Sequence, residues 1–85
     1  MKKIFLVTVL IEISDESPID GHRAFTDYSK AKQAMSEEIE NAQKYFEGWD
    51  GEVLVDVENC QEWRNEDGYG YTIGIEEFEY SRLKV

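Results

Sequence analysis

Residues 3 to 13, KIFLVTVLIEI, are apolar and largely β-branched on both parities of a two-residue repeat. A strand with one solvated face alternates. A run that does not alternate belongs inside a sheet, with neighbours on both sides and cover over part of both faces. The chain therefore has to build a sheet around its own N-terminal segment. Two lysines followed by an apolar run also have the outline of a secretory signal. The run is only about eight residues, no small-residue cleavage site follows it, and it is far too short to span a bilayer. It is read as a strand. The single cysteine, Cys60, excludes an intrachain disulfide and fits a reducing, cytoplasmic setting.

SDESPIDG (14–21) holds the only proline and reads as a loop, and HRAF (22–25) can return as a brief second strand. Thr26 or Asp27 then caps a helix. Its apolar set is Tyr28, Ala31, Met35, Ile39, Ala42 and Phe46, at steps of 3 and 4. Lys30, Lys32, Glu37, Glu40 and Lys44 fill the other face, with Glu40 and Lys44 as an i,i+4 pair, and Gly48 ends the helix. EVLVDVEN (52–59) alternates, placing Val53, Val55 and Val57 on one face and Asp56 and Glu58 on the other. The alternation can run on through Gln61 to Trp63. NEDGYG (65–70) is a turn with Gly68 at positive φ, and YTIGIEEFEY returns as the last strand. The order β–(β)–α–β–β predicts one α+β domain over residues 1–85: a small antiparallel sheet of three or four strands with one amphipathic helix on one face.

The last strand breaks its own alternation. Ile73 and Ile75 are two apart, as are Phe78 and Tyr80, but three residues separate Ile75 from Phe78. A one-residue bulge at Glu76–Glu77 would return Phe78 and Tyr80 to the core face and turn Glu77 and Glu79 outward. With the hairpin closing near residues 66–67, Asp56 falls opposite residue 77. Asp56 and Glu58 then sit beside Glu76, Glu77 and Glu79. Like charges across a strand pair disfavour it by ~0.2–1 kcal/mol each. Either these carboxylates are solvated and guard the sheet against aggregation, or a basic partner meets them.

The charge distribution sharpens that choice. Net charge is −10, and residues 47–79 hold eleven acids against one base, Arg64, while the rest of the chain balances. A field of one sign repels nucleic acid and anionic membrane and attracts basic proteins. Direct nucleic-acid binding needs the lysines and arginines that this half lacks. One histidine (His22) and one cysteine in separate elements form no nucleophile–base pair and are too few for zinc. SDESPIDG and NEDGYG miss the twelve-residue calcium loop, and GYGYTIG leads into a strand, with no helix N-terminus to hold a phosphate. Paired carboxylates for glycoside chemistry need a cleft, for which a chain this small has little room. The expectation is a protein that is not an enzyme, with no catalytic residue, no cofactor and no dedicated metal site.

The candidate partner-binding residues are Asp50, Glu52, Asp56, Glu58, Glu62, Glu76, Glu77 and Glu79, with Trp49 and Tyr69 as aromatic anchors. Aromatic side chains rimmed by charge are typical of interfaces. Trp63 and Tyr71 are expected to pair across the hairpin as packing.

The strand MKKIFLVTVLIE, the capped helix start AFTDYSKAKQAMSEEIE and the closing YTIGIEEFEY resemble, in pattern, a loose group of small bacteriophage and mobile-element proteins. Anti-CRISPR inhibitors are among them. The resemblance implies a protein acting in the cytoplasm of a bacterial host cell, offering carboxylates where a host enzyme expects DNA phosphates. Two strand rows of carboxylates about 4.8 Å apart, with same-face residues about 6.6 Å apart, can approximate a phosphate line. The expected partner is a basic, nucleic-acid-binding protein. The alternatives are a homodimer that pairs through its sheet, motivated by the apolar first strand and by Leu54, and a divalent-cation binder using the same carboxylates.

Overall fold

The computed structural model describes residues 2–13 and 17–80. They form an α+β fold in the order β1 (Lys2–Glu12), β2 (Ile19–Phe25), α1 (Tyr28–Tyr45), β3 (Glu52–Val57), β4 (Cys60–Arg64) and β5 (Gly70–Tyr80). All pairings are antiparallel, and the strand order is β2-β1-β5-β4-β3. The sheet thus has five strands where three or four were expected. The second strand starts at Ile19, inside the predicted loop, whose residues 14–16 lie outside the described residues. The segment read as one alternating strand to Trp63 is two. Glu58 and Asn59 form a two-residue turn, pairing Val57 with Cys60. Asn suits a tight hairpin turn, and the two flanking runs share enough β character to hide it.

β1 lies between β2 and β5, the interior position its composition demands. Its odd-numbered residues face α1, and Phe5 and Val7 are buried there with Tyr71, Ile73 and Ile75 of β5. α1 contributes Ala31, Ala34, Met35 and Ala42, with Phe46 just past its end. The helix lies across β1 and β5 and reaches β2. Among the described residues no element covers the opposite face. Ile4, Leu6 and Leu10 of β1 are half-buried there.

β5 carries no bulge at Glu76–Glu77. It pairs with β1 in unbroken register from Lys2–Tyr80 to Glu12–Gly70. The apolar pattern breaks because the cover ends, not because the strand changes phase. An eleven-residue strand runs about 37 Å, whereas eighteen helical residues span about 27 Å. Glu77 and Glu79 continue the parity of Ile75 but lie past the start of α1, where both meet Lys3 at 3.4 and 3.8 Å. Phe78 falls on the open face and is 48 % exposed, not returned to the core. The Tyr80 side chain, expected on the core face, lies outside the described residues. The irregularity is in β3 instead, between Val53 and Val55. It sends Val53 to the helix side, opposite Trp63, while Val55 and Val57 face the other way, opposite Glu62 and Cys60. The three valines do not share a face.

Asp27 caps α1, its carboxylate accepting from the Ser29 amide (2.9 Å) and hydroxyl (2.7 Å). The Ser29 hydroxyl and then its amide hold the Asp27 carboxyl below its ordinary value of 3.8. A folded-state pKa below the unfolded one stabilises the fold above the unfolded value, and this contribution is lost as pH falls through the folded value. Asp27→Ala is therefore expected to lower the melting temperature at neutral pH and to have progressively less effect below about pH 4. Thermal melts from pH 7 to pH 2 measure this. An equal deficit at both ends would contradict the cap.

Candidate functional site

On the helix side, α1 covers β1 and β5 and only reaches β2, most of which is exposed; it leaves β3 open and β4 half-covered. A lane therefore runs beside α1, and the structure forms two grooves along it. The first, about 360 Å³, is lined by Lys32, Met35, Ile39, Asp56, Glu58 and Gln61 among others. The second, about 170 Å³, is lined by Gln43, Phe46, Trp49, Val53, Trp63 and Tyr71. One wall is the flank of α1, the floor is Gln61 and Trp63 of β4, and the outer wall is β3. Val53 (50 % exposed) and Trp49 (41 %) leave apolar surface in reach of solvent.

Both ends of the lane are fixed by the sequence. At one end the Tyr28 hydroxyl donates to Asn59 Oδ1 (2.5 Å), with Glu58 Oε1 at 3.2 Å. Lys32 Nζ donates to the Glu58 carbonyl. Burial pushes the Tyr28 phenol up, and the Glu58 charge adds to the rise. At the other end an aromatic cluster lines the second groove. Phe46 meets Trp49 edge-on at 5.1 Å, and Trp63 stacks on Tyr71 at 6.2 Å and 13°. Gly51 is required there, because a Cβ would overlap the Trp63 ring and the Arg64 carbonyl. The Tyr71 hydroxyl donates to Gln61 at 2.7 Å. Its phenol is raised first by burial and also by the Asp56 charge, while a hydrogen bond to Gln43 works the other way.

A third groove, about 690 Å³, lies where the α1–β3 connection meets the β4–β5 turn, among Trp49, Asp50, Glu52, Leu54, Glu66 and Asp67. Arg64 also borders it, but its side chain is only 14 % exposed and is fully engaged. It holds Glu12 at 2.8 Å, Glu62 at 2.9 Å and the Thr72 hydroxyl at 2.8 Å. Register explains the reach. Arg64, Gly70 and Glu12 lie on one line across β4, β5 and β1. Gly70 allows the close pairing there, because a Cβ would overlap the Trp63 carbonyl. The sole base of the acidic segment is thus neutralised internally and does not offset the carboxylates outside. Arg64→Met should cost about 1–2 kcal/mol, since its charged hydrogen bonds are strong but Glu12 and Glu62 keep some water. Urea unfolding would show this as a lower midpoint with unchanged slope, and an unchanged midpoint would contradict the network's role.

The ten residues proposed from sequence do not form one patch. β4 lies between β3 and β5, so Asp56 is not opposite residue 77. It shares a register line with Gln61 and Ile73. Glu77 is then two strands away and four residues along, about 10 Å across and about 13 Å lengthwise. Asp56 and Glu58 border the lane; Asp50, Glu52 and Trp49 border the end groove, and Trp49 touches both. Glu62 is tied to Arg64 on the open face, where Glu76 also points, and Glu77 and Glu79 are beside Lys3. Tyr69 is half-buried in the turn, where its amide donates to Asn65 Oδ1 at 2.9 Å and Gly68 adopts φ 85°. The two carboxylate rows imagined as a phosphate line are therefore not neighbours. The sequence reasoning missed the lane and the residues of α1 that line it. Recognising Glu58–Asn59 as a turn would have revealed a fifth strand, and a sheet too wide for one helix to cover.

Among the described residues, no group of three or more His, Cys, Asp or Glu side chains is arranged to hold a metal ion, and no helix is long and apolar enough to cross a membrane. No family model, curated protein or solved structure matches the chain.

Proposed function

We propose that the protein is a non-enzymatic binding module for a basic protein, and that it binds through the lane between α1 and β3 and the adjoining end groove. The observation that carries this reading is the outer wall. Residues 47–58 hold Glu47, Asp50, Glu52, Asp56 and Glu58 with no lysine or arginine, beside apolar surface from Val53, Trp49 and Trp63. Apolar floor with charged rim is the composition of a recognition surface, and one charge sign selects partners of the other. A basic, nucleic-acid-binding protein of a bacterial host is the specific partner this suggests, with the protein as a phage-encoded inhibitor of host defence. Separation of the two acidic rows favours recognition of a protein surface over imitation of a DNA backbone. Capture from nuclease-treated bacterial lysate tests the reading. A basic protein held at low salt and released at high salt is expected, and capture indifferent to salt would contradict it.

A second reading rests on a different surface. The open sheet face pairs Ile4 with Phe78 and continues along β1 through Leu6 and Leu10, as a homodimer interface would. It predicts a mass that rises with concentration and depends little on salt. A constant monomer mass would remove it.

A further inference from the structure

We propose that the lane is a vacant helix position, and that its occupant is a cationic amphipathic helix of the partner protein. This rests on the reading of the protein as a binder of basic proteins and specifies how it binds.

The argument begins with dimensions. Two strands present a strip about 10 Å wide, and the axes of two packed helices lie about 8–10 Å apart. α1 occupies the strip over β1 and β5. The next strip, over β4 and β3, is the lane. β3 and β4 have six and five residues, giving a length of about 17–20 Å, or three to four helical turns. Along it, α1 presents Lys32, Met35, Ser36, Ile39, Gln43 and Phe46. Their steps of 3, 1, 3, 4 and 3 trace the stripe that a neighbouring helix packs against.

Charge decides the occupant. With Asp56, Glu58, Glu52 and Asp50 on or beside the outer wall and no base in residues 47–58, a helix with Lys or Arg along one flank fits. A second copy of this chain does not supply one. Its helix carries Lys30, Lys32 and Lys44 against Glu37, Glu38 and Glu40, and its apolar side is already buried. An added strand on the free edge of β3 fits less well. The irregularity between Val53 and Val55 and the inward-turned Asp56 are devices that resist edge pairing.

Titration of the isotopically labelled protein with three synthetic fourteen-residue peptides tests the proposal by amide chemical-shift mapping. One is an amphipathic Leu/Lys helix, one has the same composition with two central prolines, and one is the Leu/Glu counterpart. The Leu/Lys helix is expected to shift residues 35–43, Val53, Gln61 and the Trp63 indole, to gain helicity on binding, and to bind at least tenfold tighter than the proline peptide. Val53→Asp should weaken it at least tenfold. The Leu/Glu peptide should not bind. Equal binding of the proline peptide, or shifts confined to the open face or end groove, would overturn the helix position while leaving a basic partner intact. No binding of either cationic peptide would overturn both.

Discussion

Phe46→Ala is expected to destabilise the protein by about 3–5 kcal/mol, the usual cost of emptying a buried aromatic site. Phe46 is 4 % exposed and sits at the centre of an aromatic cluster, with ring centroids of Trp49, Trp63 and Tyr71 at 5.1, 5.2 and 6.3 Å. It also closes α1, its amide donating to the Ala42 carbonyl at 3.1 Å. A domain of this size has a total stability of roughly 4–13 kcal/mol. The loss is therefore a large share of the whole, and the melting temperature should fall by the order of 20 °C. Phe78→Ala is the matched control. Phe78 lies on the open face, so its loss should cost less than about 1 kcal/mol. Tryptophan fluorescence during urea unfolding reads both variants. If Phe78→Ala cost as much as Phe46→Ala, Phe78 would be a core residue, and the uninterrupted register of β5 would be wrong.

This pair also marks what the sequence could and could not reveal. The helix was legible because its apolar steps depend only on local periodicity, and its cap (to within Thr26 or Asp27) and the Gly68 turn because capping and turn geometry are local too. β1 was legible as an interior strand because both its parities are apolar. Phe78 was misplaced because alternation reports what covers a strand, and the cover over β5 ends at the start of α1, near Tyr28 and far from Phe78 in sequence. Asp56 was misplaced for a related reason. One two-residue turn at Glu58–Asn59 inserts β4 between β3 and β5 and moves every cross-strand neighbour. Cross-strand neighbours of a carboxylate are set by topology, so the acidic segment could be recognised while its partition among the lane, the end groove, the open face and the Lys3 end could not.

The second large effect concerns that partition. Asp56→Lys combined with Glu58→Lys should abolish capture of a basic partner, a loss of at least a hundredfold, because it replaces attraction by repulsion along the outer wall of the lane. Neither carboxylate takes part in the Arg64 network, and the contacts they do accept, from Gln61 at 3.4 Å and from the Tyr28 hydroxyl at 3.2 Å, are exposed, so the fold should be retained, with an unchanged far-ultraviolet spectrum. Glu77→Lys combined with Glu79→Lys changes net charge by the same amount at the far end, beside Lys3. A mechanism that depends only on total charge would be weakened equally by both pairs. A mechanism located at the lane is weakened by the first and only slightly by the second, through long-range screening.

Side-by-side capture with three baits, the wild-type protein and the two double variants, therefore tests the central claim most directly. A basic protein retained by the wild type and by the Glu77/Glu79 variant, but lost from the Asp56/Glu58 variant, is the result predicted. Equal retention by all three, or loss only from the Glu77/Glu79 variant, would contradict the lane as the binding site.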